Sequence, residues 1–272
     1  MKLDLHVHTS ASDGMCESRE VVSIAEETDL DVIAITDHDT VVGIPQAIEV
    51  ASEKRIDVIP GIEISSVLEG RDYHILGYFV DPDNPSIKAH EVKAGEGRKH
   101  RMLEMVDRLL LQGIIVEYED VLYEAGSELS TIGRPHLARA LVTKGYASST
   151  SDAFFRLIGN DHPAYVPTQL STPSEAIEII LNAGGISIWA HPPAGSWVKL
   201  LPNLIKEGLQ GLEVYRPRSR SDHIFDLQRV AKDSDLLMTG GSDWHGPNDG
   251  IDLGDFFVTE EEVEKFLQAG GM

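Results

Sequence analysis

The chain has 272 residues, of which 42% are hydrophobic and 25% are charged. This length and composition are typical of a globular protein with one large domain or two smaller ones. The formal net charge of −22 opposes broad binding to nucleic acid or anionic lipid, because both carry charge of the same sign. The composition therefore excludes membranes and nucleic-acid polymers as general partners, and a phosphorylated ligand needs local positive charge.

Three features predict a cytoplasmic protein. The single cysteine, Cys16, cannot form an internal disulfide, which fits a reducing compartment. No apolar stretch approaches the roughly 20 residues that a membrane span needs. The N-terminal residues pass directly into a predicted strand, so we expect no cleaved signal peptide. The oligomeric state stays open.

The first part of the chain alternates strands and helices. Strands are predicted over Leu3–Val7, Asp31–Ile35 and Asp57–Ser65, with helices over Glu17–Thr28 and Ile44–Lys54. Ser18 is the predicted N-cap of the first helix, and Pro45 is tolerated in the first turn of the second. Residues Asp72–Val80 are predicted to pair locally with the preceding strand across the turn Glu69-Gly70-Arg71.

Turn-forming residues between positions 81 and 85 end this alternation of strands and helices. Helices are then predicted over Ile87–Gly113, Tyr118–Glu124, Pro135–Gly145 and Ser151–Leu157. Because no strong strand interrupts them, we interpret residues 82–166 as an inserted, mostly helical subdomain that caps the substrate. Residues 1–81 and 167–272 would form the main domain.

The alternation resumes after residue 167. Strands are predicted over Gly185–Ala190, Gly211–Tyr215, Asp235–Thr239 and Phe256–Val258, and helices over Ser174–Asn182, Val198–Lys206, Asp222–Lys232 and Glu260–Gln268. About seven strand–helix units predict an α/β fold with a parallel barrel. A doubly wound open sheet is the main alternative.

Histidines and carboxylates recur at the ends of the apolar runs. His6 and His8 alternate on one strand, so both side chains point to the same side. The candidate metal ligands are His6, His8, Asp13, His38, Glu63, His74, His191, Asp243 and His245. If one carboxylate bridges, the set makes about ten bonds, which favours three ions of four to five coordination over two six-coordinate ions. Imidazole with carboxylate suits manganese, iron or zinc better than magnesium or calcium.

Some of these residues have an alternative role. His74 and Asp13 could instead orient the true ligands through hydrogen bonds. Asp37 and Asp39, which flank His38, are predicted to orient ligands or to stabilise the loop.

Seven segments, LDLHVHTSASDG, AITDHDT, GIEIS, YHILGYF, GRPHLARAL, AHP and GGSDWHG, carry a resemblance to a known family. In this order they are similar to the PHP (polymerase and histidinol phosphatase) superfamily, and most similar to its small metal-dependent phosphoesterases with a helical insertion. The resemblance implies a distorted (β/α)7 barrel that hydrolyses phosphate esters with divalent manganese, iron or zinc. It implies a first metal on His6, His8, Glu63 and Asp243, a second on Asp13, His38 and His245, and a third on Glu63, His74 and His191.

Arginines are candidates for substrate binding, because the planar guanidinium grips phosphate with two hydrogen bonds. Arg134 and His136 lie near a predicted helix start, where a phosphate can also meet the helix N-terminus. The resemblance favours phosphate contact by both. Arg216 and Arg218 lie in an arginine-rich loop where relatives often carry histidine or small polar residues, which suggests a second phosphate. His223 is a candidate proton donor to the leaving group.

These expectations predict a metal-dependent phosphomonoesterase or phosphodiesterase with two to three divalent ions. Hydroxide held by the metals attacks phosphorus in line, and Asp13, Asp243 and His245 are the predicted catalytic residues. The expected substrate is a small phosphorylated ribose or nucleotide, such as a nucleoside 3′,5′-bisphosphate or a cyclic ribose phosphate. Alternatives are a histidinol-phosphatase-type phosphomonoesterase, a metal-dependent amidohydrolase, and a non-enzymatic binding module.

Overall fold

A computed structural model describes residues 1–126, 131–167, 170–247 and 250–272. Its centre is an eight-stranded sheet in the order β7-β6-β5-β4-β3-β2-β1-β8. The strands are β1 (Lys2–Val7), β2 (Val32–Ile35), β3 (Asp57–Leu68), β4 (Arg71–Tyr78), β5 (Ile186–Trp189), β6 (Gly211–Tyr215), β7 (Leu237–Gly240) and β8 (Val258–Thr259).

The sheet curls into a nearly closed barrel. A parallel bridge joins Val7, at the end of β1, to Trp244, which follows β7. The backbone N–H of His8 also donates to the carbonyl oxygen of Trp244 at 2.9 Å. These contacts bring β1 and β7, the first and last of the seven strands β1 to β7, together. The predicted α/β barrel is therefore confirmed, and the alternative of an open sheet is wrong.

One barrel strand departs from the parallel pattern. β4 runs antiparallel to both β3 and β5. Glu69 and Gly70 both have positive φ, which is the backbone conformation that a two-residue hairpin turn requires. The predicted local pairing is therefore confirmed. As a consequence His74, in the first half of β4, lies opposite Ser65 of β3 and reaches the end of the barrel where the parallel strands finish.

Ten α-helices are found in the described residues: α1 (Ser18–Glu27), α2 (Ile44–Ala51), α3 (Pro85–Leu111), α4 (Tyr118–Ala125), α5 (Arg134–Thr143), α6 (Thr150–Ala153), α7 (Pro173–Asn182), α8 (Trp197–Lys206), α9 (Ser221–Asp233) and α10 (Glu260–Gly270). A π-helical turn, Phe154–Ile158, follows α6. None of these helices is both long enough and apolar enough to cross a bilayer.

The predicted cap at the start of α1 needs correction. The N-cap is Glu17 rather than Ser18, because the Glu17 and Glu20 side chains form a reciprocal capping box with the backbone. Ser18 is therefore the first helical residue. Pro45 does lie in the first turn of α2, as predicted.

The helices from α3 to α6 contain an apolar cluster of their own. Its buried members lie between residues 102 and 166 and include Met105, Leu109, Leu137 and Leu141. The start of α3 belongs to the barrel instead, since Ile87 packs in the barrel cluster. The separate cluster supports the proposed subdomain at residues 82–166, whose exact limits stay a prediction. We call this region the cap.

The barrel strands bury polar side chains as well as apolar ones. β2 and β5 are buried along their whole length, as expected for strands covered on both faces. On β1, however, Asp4 and His6 alternate with Leu3 and Leu5, and all four have no exposed surface. A buried polar face needs partners, because an unpaired polar group in the interior is costly. Those partners define the site.

Candidate metal centre

A cluster of histidines and carboxylates lies at the mouth of the barrel. The structure brings together all nine residues predicted as ligands. They are His6 and His8 of β1, Asp13 in the loop after β1, His38 after β2, Glu63 of β3, His74 of β4, His191 after β5, and Asp243 and His245 after β7. We call this set the nine-residue cluster.

Four ligand atoms in the cluster surround a common centre. The Nε2 atoms of His6 and His8 each lie 3.2–3.3 Å from Asp243 Oδ1 and from Glu63 Oε2. Tetrahedral bonds of about 2.0–2.2 Å to a transition metal place ligand atoms roughly 3.3–3.6 Å apart. The observed spacings therefore fit such an ion.

A second group lies beside the first. Asp13 Oδ1 is 3.4 Å from His245 Nε2, and Asp13 Oδ2 is 3.8 Å from His38 Nε2. One ligand atom from each of these three residues and from His8 lies within 4.8 Å of the others. Because His8 contributes to both groups, two ions could lie side by side.

Glu63 connects these groups to a third. Its Oε1 atom lies 2.8 Å from His74 Nδ1 and 3.0 Å from His191 Nε2. Its Oε2 atom faces His6 and His8, and it also lies 3.1 Å from His38 Nδ1. A carboxylate with one oxygen towards each group has the position of a bridge between ions.

Several buried atoms of the cluster have no hydrogen-bond partner within the described part of the chain. They include the Nε2 atoms of His6 and His8, His38 Nδ1 and Glu63 Oε2. Buried polar atoms in folded proteins are nearly always paired. Nitrogen and oxygen atoms that face one another at this spacing without hydrogen bonds fit a bound cation, which would pair with all of them.

The pKa values of the cluster reflect strong mutual attraction. Although burial opposes it, neighbouring histidines hold the pKa of Glu63 and Asp243 well below the usual range. Burial also opposes charge on His8, but Asp243 and Glu63 beside it raise its pKa to about 10. Burial lowers the pKa of His38 to about 3. Without an ion, protons on some histidines balance the carboxylates, and a cation would replace those protons.

Sequence reasoning missed one buried carboxylate behind the cluster. Glu213 lies in β6 with no exposed surface, and its Oε1 is 2.8 Å from His6 Nδ1. Its Oε2 accepts the backbone N–H of His191 at 2.7 Å. These contacts orient His6 so that Nε2 faces the cluster, as second partners of metal-binding histidines do. The available signal was a glutamate within the otherwise apolar strand Gly211–Tyr215.

The loop after β2 is tied to the cap by Asp39. Asp39 Oδ2 accepts two hydrogen bonds from Arg98 of α3, at 2.8 and 2.5 Å. Asp39 Oδ1 lies 2.9 Å from His90 Nε2 and accepts the backbone N–H of Ser65. Since Asp39 follows His38 directly, these bonds hold the loop that carries His38.

A cavity of about 240 Å³ opens between the cluster and the cap, and we call it the cap cavity. His38, His74 and His245 line one side, and Arg98, Arg101 and Arg134 line another. Sequence reasoning anticipated Arg134 but neither Arg98 nor Arg101. Arg98 is paired with Asp39, and the carboxylates of Asp13 and Asp72 also line the cavity.

Neither Arg101 nor Arg134 has a close carboxylate partner among the residues described. Arg101 Nε donates to the carbonyl oxygen of Val166, and Arg134 donates to Asn160 Oδ1 at 2.7 Å and lies 3.9 Å from Asp72. Arg134 also lies over the rings of Phe154 and Tyr165. Burial and the neighbouring arginines lower the pKa of Arg101 to about 10. Arg101 and Arg134 are thus less tightly paired with carboxylates than Arg98 is.

His136 is not at the cavity surface. It is fully buried, and its Nδ1 accepts the backbone N–H of Gly133 at the start of α5. Burial lowers its pKa to about 4, so this imidazole is neutral. The predicted phosphate contact is therefore geometrically available to Arg134 but not to His136 in this conformation.

Two of the three remaining predicted substrate residues line a second pocket of about 290 Å³, the barrel-side pocket. Arg216 lines it and donates to Asp243 Oδ2 at 2.7 Å. His223 also lines it, with its ring 5.5 Å from that of Trp197. Arg218 is exposed and bonds to the carbonyl oxygen of Gly250. Arg134 thus lines one pocket, Arg216 and His223 line the other, and Arg218 is not among the lining residues of either.

Known proteins resemble this chain along most of its length. A PHP domain model matches residues 4–131. A 5′-3′ exoribonuclease from Haemophilus influenzae is 38% identical, over 93% of both chains. A phosphoribosyl 1,2-cyclic phosphate 1,2-diphosphodiesterase from Eggerthella lenta is 32% identical, over 89% of this chain and 94% of its own. A 3′,5′-nucleoside bisphosphate phosphatase from Chromobacterium violaceum is 30% identical, over 91% and 88%.

Solved structures agree with these relatives. A protein described as a metal-dependent phosphoesterase, from Bifidobacterium adolescentis, superposes with a TM-score of 0.90 and 34% identity, over 98% of this chain and 96% of its own. A protein from Chromobacterium violaceum described as an amidohydrolase, with bound sulfate and no metal, has a TM-score of 0.87 and 28% identity, over 95% and 92%.

Fold, cluster and relatives together define the class of this protein as a metal-dependent phosphoesterase. The chain belongs to the PHP family, as its sequence motifs predicted.

Proposed function

We propose that the enzyme hydrolyses a phosphate ester of a small nucleotide-like substrate that carries a second phosphate. The scissile phosphate lies at the nine-residue cluster, and the second phosphate occupies the cap cavity. The observation that carries this proposal is that His38, His74 and His245 share one cavity with three arginines. A phosphate would supply the negative charge that Arg101 and Arg134 lack.

We assign the divalent ions as the resemblance implied: a first on His6, His8, Glu63 and Asp243, a second on Asp13, His38 and His245, and a third on Glu63, His74 and His191. Manganese, iron and zinc match this donor set. Such ions supply a water of lowered pKa and neutralise the phosphoryl oxygens. Asp13, Asp243 and His245 are the proposed catalytic residues, as the sequence predicted.

The chain's own side chains position the substrate. Arg101 and Arg134 hold the remote phosphate, so that the reacting phosphate rests against the cluster. Glu213 keeps His6 in its orientation, and Arg98 with Asp39 holds the His38 loop. His223 lies in the barrel-side pocket, and its role as proton donor stays a prediction. The cytoplasmic location also stays a prediction.

Phosphate release, with chromatography of the products to detect opening of a cyclic phosphate, is measured for a panel of compounds with manganese present and tests the proposal. The panel contains nucleoside 3′,5′-bisphosphates, the matching nucleoside monophosphates, a cyclic ribose phosphate and histidinol phosphate. We expect the bisphosphate to have the lowest KM, because only it fills the cap cavity. Histidinol phosphate should be poor, because its ammonium group faces the arginines. Release from none of these compounds would overturn the proposal.

A second candidate is removal of nucleotides from the 5′ end of a short RNA. Three of the curated relatives, among them the Haemophilus influenzae protein, are named 5′-3′ exoribonucleases. A terminal 5′-phosphate in the cap cavity would place the first internucleotide bond at the cluster. Because the net charge of −22 opposes long polyanions, we expect only short strands to bind well. Product analysis with a 5′-phosphorylated trinucleotide separates this candidate from the first.

A further inference from the structure

We propose that the barrel-side pocket binds the uncharged planar ring of the substrate, a nucleobase. This inference rests on the proposed function, since the ring must belong to a molecule whose phosphate lies at the cluster. It goes beyond that function by selecting nucleotides over ribose phosphates that have no base. Four features of the pocket carry it: its position, its walls, its charge balance and its polar groups.

The position of the pocket suits a group attached to the reacting phosphate. His191, a member of the nine-residue cluster, lines the pocket together with Glu213, which contacts His6. The cap cavity is reached from other members of the cluster, namely His38, His74 and His245. A substrate bound at the cluster therefore has two separate places for its remaining groups. One place holds its second phosphate, and the other is the barrel-side pocket.

The walls of the pocket are largely apolar. They are formed by Pro192, Pro193, Ala194, Val214 and Leu227. A sugar would leave its hydroxyl groups without partners against such walls, which is costly. The faces of a nucleobase need no hydrogen bonds, and stacking or apolar contact with them is tolerant of sequence. A volume of about 290 Å³ holds one such ring system.

The charges around the pocket are already balanced, which argues against a phosphate there. Arg216 donates to Asp243 at 2.7 Å, and its Nε lies 3.6 Å from Glu213. Arg220, at the rim, forms a bidentate pair with Asp222 and is mostly exposed. A phosphate would have to break these pairs, whereas a neutral ring would leave them intact.

Polar groups at the pocket match the edge of a base. The Nδ1 atom of His223 is buried and has no hydrogen-bond partner in the part of the chain that the structure describes. The Ser219 side chain also lines the pocket. A few directed polar groups between apolar walls are the usual form of a small-molecule site. The Trp197 ring lies 5.5 Å from the His223 ring and so helps to hold this residue at the pocket.

The first test compares adenosine 3′,5′-bisphosphate with 1-deoxyribose 3,5-bisphosphate, which has the same phosphates and 2-hydroxyl group and no base. Phosphate release is measured with manganese present. We expect the KM of the abasic compound to be about tenfold higher, as for loss of one stacked base. Equal KM values would overturn the ring proposal and leave the proposed function intact.

The second test fills the pocket. Ala194 is exposed, so Ala194→Trp narrows the pocket without disturbing the core. We expect the KM of adenosine 3′,5′-bisphosphate to rise about tenfold, and that of the abasic compound to stay unchanged. Val198→Trp adds the same bulk at an exposed position outside the pocket and is the matched control. An equal rise for both compounds in Ala194→Trp would contradict the proposal.

A binding measurement keeps the proposal testable if neither bisphosphate is hydrolysed, an outcome that would overturn the proposed function instead. Because Trp197 packs on His223, adenosine in the pocket should change the protein's tryptophan fluorescence. The change should disappear in Trp197→Phe, which leaves Trp189 and Trp244 in place. No saturable change in the wild type, or the same change in Trp197→Phe, would overturn the ring proposal.

Discussion

The cap cavity and the barrel-side pocket both contain arginines, but the two pockets differ in how those arginines are paired. In the cap cavity, Arg101 donates to a carbonyl oxygen, and Arg134 donates to the neutral amide of Asn160 and lies 3.9 Å from its nearest carboxylate partner in the described residues. In the barrel-side pocket, Arg216 lies 2.7 Å from Asp243 and also faces Glu213. The first pocket therefore holds two arginines without a close carboxylate partner, whereas the arginine of the second pocket is tightly paired.

This difference shows that a count of arginines is a poor guide to anion binding. A guanidinium already bonded to a carboxylate must give up that bond before it can hold a phosphate. Arg101 is in the opposite situation, because it has no such carboxylate bond to give up. Burial and two neighbouring arginines lower its pKa and disfavour its positive charge. The predictions below test whether the two pockets differ in this way, beginning with a change that disables both.

The largest effect is expected from Asp13→Ala, because both pockets depend on the same cluster. Loss of this carboxylate removes a proposed ligand, and metal catalysis is worth several kcal/mol, so kcat should fall about a thousandfold or more. Metal content of the purified protein and steady-state kinetics measure the effect. Glu53→Ala, which removes an exposed carboxylate that is not a member of the cluster, is the control. Wild-type kcat in Asp13→Ala would refute the ligand assignment.

The next effect distinguishes the pockets directly. Arg101→Ala and Arg134→Ala should each raise the KM of a bisphosphate roughly 10- to 100-fold, as expected for loss of a charged hydrogen bond. The kcat should change little, because neither residue contacts the cluster. Lys99→Ala removes one positive charge from an exposed position on α3, the helix that carries Arg101, and should keep the wild-type KM. A loss of kcat with unchanged KM would contradict the assignment of the cap cavity.

Much of the fold was predictable from sequence because local patterns determine it. Apolar runs and helix periodicity predicted β1 to β7 and most helices, and the hairpin followed from its turn residues. The helix cap at Glu17 was missed because Ser18 is the more common N-cap type, and only the backbone shows which side chain bonds to it. Barrel closure is also non-local, since it depends on Trp244 lying beside Val7.

The candidate site was predictable only in part, for a similar reason. Histidines and carboxylates that end strands converge when the strands are parallel, so the members of the cluster could be named. His74 converges although β4 is antiparallel, because a hairpin returns it to the same end. Arg101 was missed because nothing in the helical sequence shows which face of α3 meets the barrel. Pairing of Arg216 with Asp243 joins residues 27 positions apart, and no local pattern shows it.

A smaller effect is expected from Arg216→Ala. If Arg216 holds Asp243 rather than a phosphate, its loss should lower kcat about tenfold, as for other groups that orient metal ligands, and leave KM within twofold. Manganese affinity, measured by calorimetry, should weaken in parallel. Arg229→Ala, on an exposed turn of α9, is the control. A large rise in KM with unchanged manganese affinity would instead support the sequence prediction that Arg216 binds phosphate.

The smallest expected effect is a change in thermal stability, which tests anion binding in the cap cavity independently of catalysis. Sulfate should bind Arg101 and Arg134 in the metal-free protein, and a ligand at 100 times its dissociation constant stabilises by about 2.7 kcal/mol. For a chain of this size we expect the thermal midpoint to rise by several degrees, at roughly 2–4 °C per kcal/mol. The rise should be lost in Arg101→Gln and retained in Arg216→Ala, each compared with its own sulfate-free midpoint. Equal losses in both variants would mean that the two pockets hold anions alike, which their pairing does not permit.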